Sequence, residues 1–171
     1  MKILKEIMRK PNVNTVGKTI ARNAVRGVVL RGKTILMVYS TNGGDYKFPG
    51  GGVDEGESFE EALVREIKEE CGTEVLSINE EIGKVIEYDI PIEEDYDIFK
   101  RISYYYSCDV DLNFGKQSLD DYEIALGLIP VWVDIDKAIE ANKKLMRSYP
   151  CQGWVPRETF MLEYVKERYN L

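Results

Sequence analysis

Residues 51–73, GGVDEGESFEEALVREIKEECGT, set Glu57, Arg65, Glu66, Glu69 and Glu70 at spacings that one short helix converts into a cluster of oxygen donors. Each helical residue advances by about 100°, so residues four apart lie almost above one another. Ser58 followed three positions later by Glu61 forms a capping box, in which the hydroxyl satisfies a first-turn amide and the carboxylate reaches back. Gly72 closes the helix as a residue free to turn left-handed. Phe59, Leu63 and Ile67 recur every fourth position and define the stripe that faces the protein body. Glu66 and Glu70 fall beside or inside that stripe, where two carboxylates at i and i+4 repel and are costly to desolvate unless a positive charge joins them. A hard cation removes the conflict, and Glu69 adds an oxygen donor on the flank. Such donors suit Mg²⁺, which prefers oxygen ligands and is commonly shared with substrate phosphates.

A solvated acidic helix face is the ordinary meaning of such a run. It accounts for Glu60, Glu61, Val64, Arg65 and Lys68, with Glu61 and Arg65 set for an i,i+4 pair, but Glu66 and Glu70 do not share that face.

Gly51, then Glu57, then Arg65-Glu66-Ile67-Lys68-Glu69-Glu70-Cys71-Gly72 resembles the signature box of the Nudix hydrolases, and Phe48-Pro49-Gly50-Gly51-Gly52 leads into it as the family's strand and turn do. One position departs: Thr73 stands where the family pattern has an aliphatic residue, a change expected to touch packing of the outgoing strand rather than chemistry. The resemblance implies an α/β fold, a Nudix-like α/β/α sandwich with a mixed β-sheet. It implies Mg²⁺-dependent hydrolysis of a nucleoside diphosphate linked to another moiety, a nucleoside triphosphate or a nucleotide sugar, by water attack on phosphorus. The metal, Mg²⁺ with Mn²⁺ as an alternative, is expected on Glu66, Glu69, Glu70 and the Gly50 carbonyl. Arg65 and Glu57 are expected to be an orienting pair holding the helix against its preceding loop. The family draws its general base from the box glutamates or from a later loop. Glu69 is preferred here, and Glu123, near Asp120 and Asp121, is the loop candidate. The competing reading is a non-catalytic Nudix-fold protein that binds or senses a nucleotide, which has no need of the full metal constellation.

The chain's 171 residues are in the range of one domain able to bury a core without disulfides or structural metal. Residues 1–171 are expected to form a single Nudix domain, with 1–18 an N-terminal arm or short helix. Thirty acidic against 23 basic residues, a net charge of −7, argue against an extended nucleic-acid or acidic-membrane surface, so an anionic substrate must be met by metal and a few local cations. Arg26 in the first long strand and Lys47 just before the box are the candidates for phosphate oxygens, solvent-facing strand charge being the competing reading. The expected partner is a small nucleotide diphosphate derivative, with homo-oligomerisation left open. Cys71, Cys108 and Cys151 are odd in number, widely separated and without a CxxC motif, which favours free core thiols in a reducing compartment. MKILKEIMRK is too charged for a signal peptide and no stretch is long and apolar enough to span a bilayer, so the expected location is cytoplasmic. The absence of histidine excludes His-based triads and imidazole bases, leaving proton transfer to carboxylate, Lys or Tyr.

Strands are expected near 20–30 and 34–40, paired as a hairpin through Arg31-Gly32-Lys33, then near 46–48, 74–78, 82–90, 102–110 and 126–133. Two helices follow, at about 135–147 and 156–169, the second opened by Pro156. Gly27 and Gly32-Lys33-Thr34 match the P-loop pattern letter for letter, but the intervening Val28, Val29, Leu30 and Arg31 and the strand-like ILMVYS that follows reject it. The acidic run Glu93, Glu94, Asp95 and Asp97 reads as a solvated loop. Tyr46, Phe48 and Tyr88 are the aromatic residues best placed by sequence to stack on a base, with no choice among them.

Overall fold

A computed structural model describes residues 1–147 and 152–171. Cys151 lies outside the described residues, whereas Cys71 and Cys108 are buried free thiols. Two sheets organise the chain. The first has the order β1 (Ile3–Met8), β6 (Val75–Asp89), β7 (Ile98–Val110), β2 (Thr19–Val28), with β1 parallel to β6, β6 antiparallel to β7 and β2 parallel to β7. The second is antiparallel around β4 (Thr34–Ser40), which pairs with β3 (Leu30–Arg31), β5 (Tyr46–Lys47) and β8 (Leu128–Asp134).

The alternation of β4 explains the layers. Ile35 and Met37 point into a core closed by Ala138 and Ile139 of α3 (Ile135–Arg147) and by Met161, Leu162 and Val165 of α4 (Val155–Tyr169). Leu36 and Val38 point the other way, into a core closed by Ala62, Leu63 and Ile67 of α1 (Phe59–Cys71). A strand buried on both faces needs an unbroken apolar run, and Ile35-Leu36-Met37-Val38 is one. Helices on both sides of the strands make the α/β/α sandwich with a mixed sheet. No helix is long and apolar enough to cross a membrane among the described residues.

Several expectations are corrected. The start of the chain is not a helix: Ile3–Met8 is an edge strand along β6, with Leu4 and Ile7 turned onto the core next to α4. Its three-and-four spacing of apolar residues mimics a helix, but the neighbouring strand satisfies the backbone instead. The hairpin is confined to Leu30–Arg31 against Thr34–Ile35, because β2 leaves for the other sheet and pairs with β7 from Thr19 to Val28. The strands expected at 74–78 and 82–90 are one, β6, bent by register shifts that include the one at Gly83. Asp121–Leu126 is a short helix, α2, rather than loop.

Thr73 is buried and its hydroxyl donates to the Asp111 carbonyl at 2.6 Å, so the departure from the family pattern ties α1's exit to the end of β7. The turn after β5 is held from α4. Glu158, wholly buried, accepts the Phe48 N–H at 2.9 Å and pairs with Arg157, which also reaches Glu87 on β6. Truncating one partner of a buried charge network leaves the others unpaired, so Glu158→Ala is expected to cost about 3 kcal/mol or more. Asp136→Ala, which removes the exposed partner of Lys166, is expected to cost less than about 1 kcal/mol. Urea unfolding of the two variants beside the wild type checks the contrast.

Candidate active site

The site is built on Phe48–Gly52, which runs between β2 and α1. Val25 N–H donates to the Gly51 carbonyl, Gly27 N–H to the Pro49 carbonyl, and Val53 N–H to the Asn23 carbonyl. This ladder skips the Gly50 carbonyl and leaves it without a hydrogen-bond partner among the described residues. Gly50 sits at φ 127°, and a Cβ there would lie 2.2 Å from the Val25 carbonyl oxygen, so only glycine fits. At Gly51 an added Cβ would meet the Glu66 carboxylate at 2.3–2.5 Å. The glycines let acids of α1 reach the turn's backbone.

Helix α1 forms as its capping box and left-handed Gly72 dictate, with the Ser58 side chain accepting the Glu61 N–H and Glu61 accepting the Ser58 N–H. Arg65 makes a bidentate pair with Glu57 at 2.8 and 2.9 Å. It also donates to Glu66 at 2.9 Å, to Glu69 at 3.1 Å and to the Gly52 carbonyl at 3.0 Å. One guanidinium thereby joins helix, preceding loop and glycine turn. Glu70 is fully buried, one oxygen on Lys47 Nζ at 2.6 Å and the other on the Gly50 N–H at 2.7 Å. Burial raises the Glu70 carboxyl above its ordinary range against the pull of Lys47. Burial also pushes Glu66 up to about 7, with Arg65 opposing and the Glu70 charge adding to the rise.

Glu123 reaches the same place by a route that sequence spacing does not show. The segment after β7 folds back over α1: Gly115 N–H donates to the Gly72 carbonyl, Ser118 N–H to the Glu69 carbonyl and Gln117 Nε2 to the Glu70 carbonyl. Helix α2 then places Glu123 in a cavity of about 470 Å³ shared with Gly51, Gly52, Glu66, Glu69 and Asp120. Glu123 accepts from the Tyr122 hydroxyl at 2.9 Å and the Asp120 N–H at 3.1 Å, and lies 3.8 Å from Lys47.

Among the described residues no three acidic, cysteine or histidine side chains already stand at metal-binding spacing, because Arg65 draws Glu66 and Glu69 and Lys47 draws Glu70. The donor set still fits a hard cation: Glu66 and Glu69 face one cavity with Glu123, all donors are oxygens, and Glu66 is desolvated beside a second carboxylate.

Arg26 and Lys47 are both buried at 8% exposure, which removes the reading of solvent-facing strand charge. They line a cavity of about 690 Å³ with Gly50, Gly51, Phe59, Arg101 and Tyr122. Of the aromatic residues singled out from sequence, Phe48 is core against Tyr105, Tyr46 stacks on Tyr39, and Tyr88 bonds Glu6 of β1. The aromatic rings at the cavity are Phe59 and Tyr122, together with the cation Arg101. Sequence reading missed them because Phe59 counts as helix core, while Tyr122 and Arg101 depend on long-range folding.

The family model described as NUDIX domain matches residues 21–151. An RNA pyrophosphohydrolase of Campylobacter jejuni is 33% identical over 87 residues, 46% of this chain and 56% of that protein. One of a Nitratiruptor species is 50% identical over 46 residues, 27% of this chain and 30% of that protein. The chain spans about half the length, or less, of these curated relatives. The crystal structure of a mutator MutT protein from Bacillus halodurans aligns with TM-score 0.55 at 21% identity, covering 70% of this chain and 72% of the other. A Nudix hydrolase from Nitrosomonas europaea aligns with TM-score 0.51 at 21% identity, covering 72% and 79%. The chain belongs to the Nudix family.

The Arg65 hydrogen bonds hold the Glu57 carboxyl down at about 2, against an ordinary 4.5. A depressed carboxyl contributes stability that is present above its unfolded pKa and is lost as pH falls through its folded one. The stability gap between wild type and Glu57→Gln is therefore expected to be full above pH of about 4.5 and to close as pH falls toward about 2. Urea midpoints of both proteins across that window measure it.

Proposed function

We propose that this chain is a divalent-metal-dependent pyrophosphohydrolase cleaving a nucleoside diphosphate linked to another group by attack of water on phosphorus. The observation that carries the reading is the adjoining pair of cavities, one gathering Glu66, Glu69 and Glu123 and one bringing Arg26, Lys47 and Arg101 together alongside Asp54, Glu55 and Glu57. They meet at Gly51, Gly52 and Tyr122. The names of the curated relatives, RNA pyrophosphohydrolases, support the reaction class.

Mg²⁺, or Mn²⁺ in its place, would be held by Glu66 and Glu69 with Glu70 and the Gly50 carbonyl beside them. It would supply charge neutralisation and acidify bound water. The chain's own groups do the rest. Arg65, fixed by Glu57, orients Glu66 and Glu69. Arg26 and Lys47 receive phosphate oxygens as charge builds on them. Glu69 is the preferred general base, because its side chain is 40% exposed to the cavity and bonds only Arg65, through one oxygen. Glu123 has both oxygens committed to Tyr122 and Asp120. The free thiols fit a reducing, cytoplasmic setting.

A nucleotide-binding protein that does not cut is favoured by one observation, the closure of both Glu70 oxygens by Lys47 and Gly50. Turnover decides. Pyrophosphate-linked nucleotides are expected to be cleaved with Mg²⁺ and not after chelation, and Glu69→Gln is expected to lower kcat by about 10²-fold or more. Phosphate release from a nucleotide panel measures this, and unchanged turnover in Glu69→Gln and Glu70→Gln alike would remove both residues from the reaction.

A further inference from the structure

Adjoining the larger cavity is a second space of about 210 Å³ that shares Arg26, Lys47, Arg101 and Tyr122 with it and is otherwise walled by Leu126, Trp154 and Arg157. Its ionisable lining is Arg26, Lys47, Arg101, Arg157 and the Tyr122 phenol, with no carboxylate. Two of these cations are already matched, Lys47 by Glu70 and Arg157 by Glu87 and Glu158. Arg26 and Arg101 make no ion pair among the described residues. Arg26 is 8% exposed, and its Nε and Nη1 have no hydrogen-bond partner. Buried guanidinium donors are normally satisfied, so these two are open to a ligand that accepts hydrogen bonds. Burial, with the neighbouring Arg157, Arg9 and Arg26 adding and Glu87 opposing, holds Arg101 down at about 10.

We infer that this second space is a binding subsite for a free terminal phosphate, so that the chain's substrates end in an unesterified phosphate rather than in a sugar or a second nucleoside. The inference rests on the pyrophosphohydrolase reading and deepens it. Arginine and ammonium groups only donate hydrogen bonds, whereas sugar hydroxyls and base edges donate as well as accept. Apart from the Tyr122 oxygen, whose proton goes to Glu123, the ionisable lining only donates and holds no carboxylate, which suits a ligand made mainly of acceptors. A terminal phosphate presents three such oxygens and a charge of about −1.5 to −2 at neutral pH, and planar guanidinium forks match it. The Trp154 indole N–H is withdrawn from the space by its bond to Asp45 at 2.7 Å, leaving an apolar wall with Leu126 where a sugar would need polar partners. Tyr122 lines this space and the acidic cavity too, so a phosphate chain entering past it spans from the carboxylates to the cations of the second space.

The same terminal phosphate is carried by a mononucleoside triphosphate and by a triphosphate-ended oligonucleotide, and the assay carries both beside a nucleotide sugar. Wild-type kcat/KM is expected to be at least about tenfold higher on one or both free-ended substrates than on the sugar-capped one. Which of the two is faster identifies the source. In Arg26→Gln that preference is expected to fall by about 10- to 100-fold. In parallel, calorimetry in chelator with inorganic phosphate alone is expected to show binding by wild type that Arg26→Gln loses. Arg101→Gln, at a less buried position, serves as the second variant if Arg26→Gln does not fold. Equal or better turnover of the sugar-capped substrate by the wild type, or an equal loss on both substrate kinds in the variant, overturns the subsite while leaving the hydrolase reading intact. Absence of turnover on every substrate overturns the hydrolase reading instead, and the subsite then stands on phosphate binding lost in Arg26→Gln and falls if the variant binds as wild type does.

Discussion

The buried carboxylate of Glu70 on the Gly50 N–H is the contact on which the site's arrangement depends. It fixes the glycine turn to α1 at 2.7 Å, and its second oxygen fixes Lys47, the residue that ends β5. Glu158 does the same from α4 through the Phe48 N–H. Two helices on opposite faces of the sandwich thus grip one short backbone segment from both sides. Buried polar groups of this kind are expensive unless every partner is present, so the turn's position is determined rather than merely allowed.

Holding the turn there sets two groups of charge next to each other: Glu66, Glu69 and Glu123 in one cavity, and Arg26, Lys47 and Arg101 in the adjoining one. Arg65, from the same helix, and Lys47, from β5, compensate these acids, which explains how a chain of net charge −7 keeps desolvated carboxylates beside one another. An anionic substrate then meets local cations on a surface that is acidic in sum.

The legible parts of the fold were those whose signal is local. The capping box at Ser58 and Glu61, the stop at Gly72, the helix from Ile135 and the Pro-opened helix after Trp154 all follow from residues within a few positions of each other. Strand partners were less legible: β2 pairs with β7 some eighty residues away and not with its neighbour, and β1 hides its strand character behind a helix-like spacing. Of the site, Arg26 and Lys47 were visible as cations near the box, but their burial was not, since it requires α4 and α2 to close over them.

What the sequence determined alone was the chemistry carried by one helix: which acids share a turn, which arginine can reach them, and which glycines admit a backbone that other residues would block. Tertiary structure decided which charges face one another across the turn. It brought Glu123 back over α1 through the carbonyls of Glu69, Glu70 and Gly72, and it set Arg26, Arg101 and Arg157 around one space. The reason is physical: helical periodicity acts over a few residues, whereas a buried charge is placed by whatever long-range partner the folded backbone delivers to it.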